Sequence, residues 1–463
     1  MISMKKTIVI FILSILVVAG VAAYTVDELS SSMLAKNPDI LKAREEVTKA
    51  DLDVRDAKGG YSPTIDLTVT GSYIANPIDP IRINLGDYID TTAYGVKNDY
   101  ITLYKGQESM YYQFSLSMTQ PIFTWGKLSN AVKLYKSIYE ARLMQLEDAM
   151  DKAQTELNTR IAALHYLLQI QSLLSKQTEI VSRLVQLADD AHKNGMMLAS
   201  DALGVKVQAR QLDVAKARID QQVLLMMTEL GNLSGIKDLS AGEIEFDEAS
   251  FNASLDNLCK ADYSTLSAKC LSDSRTNFQL LGKLSSIAQT AKDIAGASVN
   301  WKPDLALVVN ADYSGSRLPF VETDWYGKDD WGATVTVALK TTVLDGGKAV
   351  RNVKRADSGL QDAQIDIQSA KAKVRSAVDE NWTNLSVGLA QIDYQSALSE
   401  QLDSKNQVNK SLLDTGYGSE SDYLQGQLDR NNCEIEILRT KINLATAVYT
   451  LLYLQGDGSK VLD

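Results

Sequence analysis

Histidine and cysteine, the commonest ligands of transition-metal sites and frequent catalytic groups, are scarce in this 463-residue sequence. The two histidines, His165 and His192, fall in stretches of helical pattern and read as packing or surface residues. A metal site needs more ligands at closer spacing than these supply. No nucleophile–base pair and no Walker-type glycine loop is legible either, so the reading is not an enzyme, with no catalytic residue, metal or cofactor expected. Of the three cysteines, Cys259 and Cys270 lie close enough in sequence to form a disulfide in an exported chain, and two free thiols fit equally well. What the sequence does offer is a matched pair of aspartates. Asp201 and Asp422 each follow a serine (Ser200, Ser421), and each stands six positions after a glycine (Gly195, Gly416). Repeated by rotational symmetry around a passage, such an aspartate would make an acidic ring that favours cations. Placed just after a helix reversal, it could instead cap the returning helix, as could either serine.

The elements that hold these residues repeat. An offset of 221 residues carries Lys127 to Lys348, Gly195 to Gly416, Asp201 to Asp422, Leu230 to Leu451 and Gly235 to Gly456, without a gap. One offset fitting separated landmarks marks two copies of one design. The prolines stand at 38, 63, 77, 80, 121, 303 and 319, which leaves both spans after the Gly-Lys pairs free of proline. A continuous helix from Lys127 to Gly195 would be roughly 100 Å long. In the second copy, Val353, Leu360, Ile367 and Val374 recur every seven residues, with Ala356, Ala363, Ala370 and Ala377 between them. That is a coiled-coil seam with alanine at one core position, so helix axes can approach closely. The seam changes phase near Trp382 and continues through Leu385, Leu389 and Ile392. Val132, Tyr139, Leu146 and Ala153 follow the same frame less regularly in the first copy.

Before each long helix come two segments of alternating pattern. Ile65, Leu67 and Val69 form one apolar row, and Phe114, Leu116 and Met118 the next. Leu305, Leu307 and Val309 follow in the second half, then Trp331, Ala333, Val335, Val337 and Leu339. Each segment is about ten residues, long enough for a tilted membrane-spanning strand. Tyr73, Tyr111, Tyr112, Tyr313, Trp331 and the loop residues Trp325 and Tyr326 suit an interfacial aromatic belt, while a soluble sheet with one polar face gives the same alternation. Residues 74–110 and 314–330 read as long polar loops. Lys5 and Lys6, the apolar run Thr7–Val21 and the small residues Val21-Ala22-Ala23 read as a signal peptide over 1–23. The net charge of −11 and pI near 4.9 speak against a nucleic-acid partner. Four strands cannot close a barrel, and an open edge in lipid leaves backbone groups without partners. The expected assembly is therefore a cyclic oligomer, with three copies giving twelve strands.

With these features in order, the chain resembles the TolC-like outer membrane factors over nearly all of its mature length. The resemblance rests on Asn37-Pro38 near the start, on Pro63-Thr-Ile-Asp-Leu and Pro303-Asp-Leu-Ala-Leu at strand openings, on Gln120-Pro-Ile-Phe and Leu344-Asp-Gly-Gly-Lys at strand-to-helix turns, and on the two glycine–aspartate tips. It implies a mixed α+β membrane protein, mostly long helices in a helical barrel, with four antiparallel transmembrane strands per chain completing a trimeric 12-stranded β-barrel. The organisation would be a signal peptide (1–23), a first repeat (24–235), a middle connecting segment (236–273) and a second repeat (274–463). The implied protein is a homotrimeric outer-membrane exit duct for efflux or type I secretion, set in outer-membrane lipid with a long periplasmic extension. A periplasmic adaptor and an inner-membrane pump would be its partners. Adaptor docking would fall on Gly195, Met196, Met197, Leu198, Gly416, Tyr417, Gly418 and Ser419, and the constriction on Asp201, Asp422, Ser200, Ser421 and Gln425. The sequence departs from better-known members at three points: Gln425 replaces a second acid, Gly418 an arginine and Leu413 a tyrosine. Closure is accordingly expected to rely on packing of Met196, Met197, Leu198 and Tyr417. The competing reading is an exported coiled-coil stalk or adhesin without a pore.

Overall fold

The computed structural model describes residues 24–88, 100–237, 239–273, 275–297, 299, 302–319, 321 and 330–456. The signal-peptide segment and the aromatics Trp325 and Tyr326 lie outside the described residues. In chain order the elements are α1 (Val26–Lys36), α2 (Pro38–Gly59), β1 (Thr64–Tyr73), β2 (Ile81–Asn84), β3 (Tyr100–Tyr104), β4 (Met110–Phe123), α3 (Lys127–Lys193) and α4 (Ala199–Ser234). They continue with α5 (Glu248–Lys260), α6 (Tyr263–Cys270), α7 (Thr276–Ala297), β5 (Asp304–Gly315), β6 (Trp331–Lys340), α8 (Lys348–Asp414) and α9 (Glu420–Gln455). The chain folds into two compact units, and each draws on both sequence repeats.

The first unit holds α1, the hairpins α3–α4 and α8–α9 beyond their first turns, and the connector α5–α6. The repeat is kept residue for residue. Helices α3 and α8 each span 67 residues, α4 and α9 each span 36, and all four start and end at the same 221 offset. Gly235 and Gly456 close α4 and α9 in the left-handed conformation, which a side chain would strain. Thr25 and Glu28 form a reciprocal capping box on α1. Asn37 starts α2 by accepting the Asp39 and Ile40 amides, with Pro38 at the first helical position, where a missing N–H costs nothing. Its amide donates back to the Leu233 carbonyl and so ties the start of the chain to the end of α4.

Apolar rows on the helices build the core. One cluster joins Tyr166, Leu167, Ile170, Leu173 and Leu174 of α3 to Ile219 of α4 and to Ile435 and Leu438 of α9. Another joins Val378 and Leu385 of α8 to Val448, Leu451 and Leu454 of α9, and to Phe251, Leu258, Leu266 and Cys270 of the connector. The α8 seam residues Val374 and Ala377, with Trp382, Leu389 and Ile392 after the phase change, pack against this second cluster. The connector pattern, mixed in sequence, thus resolves into two short helices. No disulfide joins Cys259 to Cys270. Cys259 sits on the exposed side of α5 while Cys270 is fully buried in the core, so the two side chains serve opposite environments.

The second unit contains the sheet, whose order is β1-β4-β5-β6 and whose pairs are all antiparallel. The register aligns the four apolar rows on one face. Leu67 faces Leu116, then Ala311 and Ala333; Ile65 faces Met118, then Val309 and Val335; Val69 faces Phe114, then Tyr313 and Trp331. The other face carries Asp66, Ser117, Asn310 and Thr334, and Ser117 donates to Asn310 across the strands at 2.7 Å. Strand β4 is longer than expected, running 14 residues through Pro121, where a register shift accommodates the missing N–H. The segment read as the polar loop 74–110 is not wholly irregular: β2 and β3 pair within it as a second, two-stranded sheet. Trp125, with φ of 53°, is held at the β4–α3 junction by an indole N–H bond to the Pro303 carbonyl, and its repeat partner is Gly346, also at positive φ.

Candidate functional site at the hairpin tips

Both hairpins reverse through the same backbone device. At the first tip the Met196 amide bonds the Ala191 carbonyl at 2.8 Å and the Gly195 amide bonds His192 at 3.0 Å. At the second, Tyr417 bonds Leu412 at 2.9 Å and Gly416 bonds Leu413 at 3.0 Å. This pairing of a six-residue and a four-residue loop is a Schellman turn, and its central residue must be left-handed. Gly195 and Gly416 supply that at φ of 72° and 77°. Gly418 has a different reason to be glycine. A Cβ there would lie 2.7 Å from the Leu413 amide nitrogen, so it is required by close approach rather than by positive φ.

The candidate gate residues occupy equivalent places. Asp201 and Asp422 are the third residues of α4 and α9, where a negative charge suits the helix dipole. Neither is the cap. Ser419 caps α9 through the Ser421 amide, whereas Leu198 begins α4 with no side-chain cap. Ser200 donates to the Asp201 carboxylate at 3.2 Å, and Gln425 donates to Asp429 at 3.1 Å. Met196, Leu198 and Tyr417 are 76, 70 and 89% exposed in the single chain, while Met197 is half-buried, so three of the four side chains expected to pack at closure have little intrachain cover.

One contact was not legible in the sequence. Arg183 of α3 donates from Nε and Nη2 to both carboxylate oxygens of Glu420, at 2.8 and 2.9 Å. This forked pair clamps the first hairpin to the start of α9. The Arg183 hydrogen bond holds the Glu420 carboxyl below its ordinary range, and Glu420 in turn raises the guanidinium. Its partners lie 237 residues apart, and at the 221 offset they become Ser404 and Ala199, so the repeat gives no hint of the pair. Within the hairpins, Lys206 pairs with Asp189 and Arg430 with Asp403.

Two matched helical hairpins and a four-stranded sheet with one continuous apolar face define a mixed helix-and-strand fold. Residues 29–235, the first repeat, match the outer membrane efflux protein family, and the chain as a whole has the TolC-like fold. The outer membrane protein VceC from Vibrio cholerae aligns with a TM-score of 0.69 at 15% identity, covering 93% of this chain and 96% of that one. The Campylobacter jejuni CmeC outer membrane channel gives 0.68 at 15% identity, covering 94% and 86%. A membrane protein from Pseudomonas aeruginosa gives 0.69 at 14% identity, covering 93% of both chains. At these identities the likeness is one of fold. No curated protein matches the chain by sequence.

Proposed function

We propose that the protein is the outer-membrane exit duct of a tripartite efflux or type I secretion system. It works as a homotrimer whose periplasmic hairpin tips dock an adaptor and gate the passage. The observation that carries this reading is a helix seam that is filled once within the chain and left open twice at its flanks. Inside the chain, Tyr166 and Leu173 of α3 are 1 and 6% exposed beside Ile435 of α9, itself 5% exposed. Their repeat equivalents, Val387 and Tyr394 of α8 and Val214 of α4, are 61, 60 and 52% exposed. The same two complementary surfaces therefore recur without a partner, and a second copy supplies each. The sheet makes the same demand. In the order β1-β4-β5-β6 with all pairs antiparallel, β1 and β6 run opposite ways, so β6 of one copy can extend onto β1 of the next. Three copies give twelve strands with no edge and a lipid-facing apolar band. The stalk reading leaves that apolar face without a purpose.

The finer assignments follow from this frame. Asp201 and Asp422 form acidic rings, with Ser200, Ser421 and Gln425 beside them. Met196, Met197, Leu198 and Tyr417 pack between copies in the closed state and, with the tip glycines and Ser419, meet the adaptor. Detergent-purified protein should have the mass of a trimer and give small, cation-preferring currents in planar bilayers, altered by Asp422→Ala. A monomer that never inserts would sink the proposal.

A further inference from the structure

We infer a binding site for a hydrophilic organic cation that also carries a hydrogen-bond acceptor, in the pocket where the N-terminal segment meets the connector. It is distinct from the tips and independent of the duct reading. The pocket has a volume of about 580 Å³, within the usual size for small-molecule sites, and lies wholly in the first unit. Its floor is polar, buried and incompletely bonded. Ser30 donates to the Gln154 side-chain oxygen, which obliges the Gln154 amide to donate to Asn158 Oδ1, at 3.1 Å. Asn158 is 5% exposed and lines the pocket, so its own NH₂ is left as a donor directed into the space. Tyr449, 6% exposed, lines the same pocket, and its hydroxyl has no hydrogen-bond partner among the described residues. Burial pushes that phenol well above its ordinary range, so it stays a protonated donor. Both donors open onto the pocket rather than being sealed in the core, so an acceptor on a ligand can take the place of water there.

The rim has the opposite character. Asp247 is engaged in capping α5 and Glu248 pairs with Lys441. Asp27 and Glu245 also line the pocket and make no ion pair among the described residues. Phe246 forms an aromatic wall, fixed by Tyr166 at 5.8 Å and Phe251 at 5.9 Å between ring centroids. Carboxylates and a ring face at the mouth select an ammonium or guanidinium, while the floor donors select a carbonyl or hydroxyl on the same molecule. A purely acidic patch would attract any cation, but the donor floor adds a requirement that a simple polyamine does not meet.

The test is calorimetric titration of the full-length, detergent-purified protein with L-argininamide and with agmatine, which has the same guanidinium but lacks the carbonyl. Argininamide should bind saturably and more tightly than agmatine. The exposed rim double variant Asp27→Asn/Glu245→Gln should weaken it roughly tenfold, each rim pair being worth up to about fivefold. Tyr449→Phe, which keeps the ring and removes the donor, should bring argininamide down to the level of agmatine. Unchanged oligomer mass and conductance would show that these variants remain folded. Absence of saturable heat with either probe, or argininamide binding that the rim variant leaves intact, would overturn the site. Either result leaves the duct reading standing, because conductance tests that separately.

Discussion

If the open face of α4 is the seam between copies, a charge placed there should abolish assembly while sparing the chain. Val214 is the residue to change. It is 52% exposed in the single chain, so only about half of its surface remains to be covered on assembly. Completing the burial of a valine is then worth roughly 1 kcal/mol per copy. Val214→Ala should cost a trimer roughly 2–3 kcal/mol, on the order of a fiftyfold loss in the assembly constant. Val214→Asp is harsher, because an unpaired carboxylate in a closed seam costs several kcal/mol at each of three sites. Asp and Val have similar helix propensity, so α4 itself should be little affected. The repeat provides the contrasting substitution: Ile435→Asp puts the same charge at the equivalent position of α9, buried within the chain, and should destabilise the monomer. The assay is the mass of the detergent-extracted protein with thermal unfolding followed by circular dichroism. Val214→Asp should give a folded monomer and Ile435→Asp a misfolded one. A Val214→Asp protein that keeps the oligomer mass and melting temperature of the parent would refute the seam.

Other outcomes follow from the tips and the connector. Gly416→Ala should cost about 1 kcal/mol through its positive φ alone, since the space around it is open. Gly418→Ala should cost more because its Cβ meets the Leu413 backbone, and urea unfolding ranks the two. Glu420 titrates below its ordinary value when paired, so the clamp's contribution is fully present above about pH 4.3, the ordinary glutamate value, and is lost as pH falls through the lowered one. Hydrogen-exchange protection at the second tip, taken relative to the intrinsic rate at each pH, should therefore be flat from neutral to about pH 5 and fall in Glu420→Gln at neutral pH. In native protein a maleimide should label exposed Cys259 readily, and buried Cys270 and Cys433 only on unfolding, as peptide mapping would show.

Sequence legibility followed periodicity. The two 67-residue helices could be bounded because a glycine-lysine start and a glycine stop recur at one offset, and no proline interrupts them. The strand rows were legible because alternation has a period of two and the register follows from it. The misses lie where structure depends on contacts outside any period. Pro121 reads as the end of a strand but is absorbed by a register shift inside β4, and the β2–β3 pair is hidden by its four- and five-residue strands. Ser200 and Ser421 read as caps, yet Ser419 holds that place in α9, and only backbone position separates them. Arg183 and Glu420 carry no local pattern at all; their pairing is created by the packing of α3 against α9.

Duplication also bears on why the assembly should close. The open faces of α4 and α8 are different surfaces, so joining them is a head-to-tail contact. Such contacts make a ring only when the rotation returns to its start, and otherwise a filament. The sheet imposes a second head-to-tail contact, β6 onto β1, with its own rotation per copy. A filament would leave two terminal sheet edges without partners, which lipid does not tolerate. The helical seam alone would permit several ring sizes. Barrel closure removes the open ones, and the requirement that one rotation satisfy both contacts restricts the rest. In the proposed ring, the sites where the two repeats have diverged, Arg183 against Ser404 and Glu420 against Ala199, would give two unlike seams at the tips. One is clamped within the chain, and the other, between copies, would have no such pair at the equivalent positions.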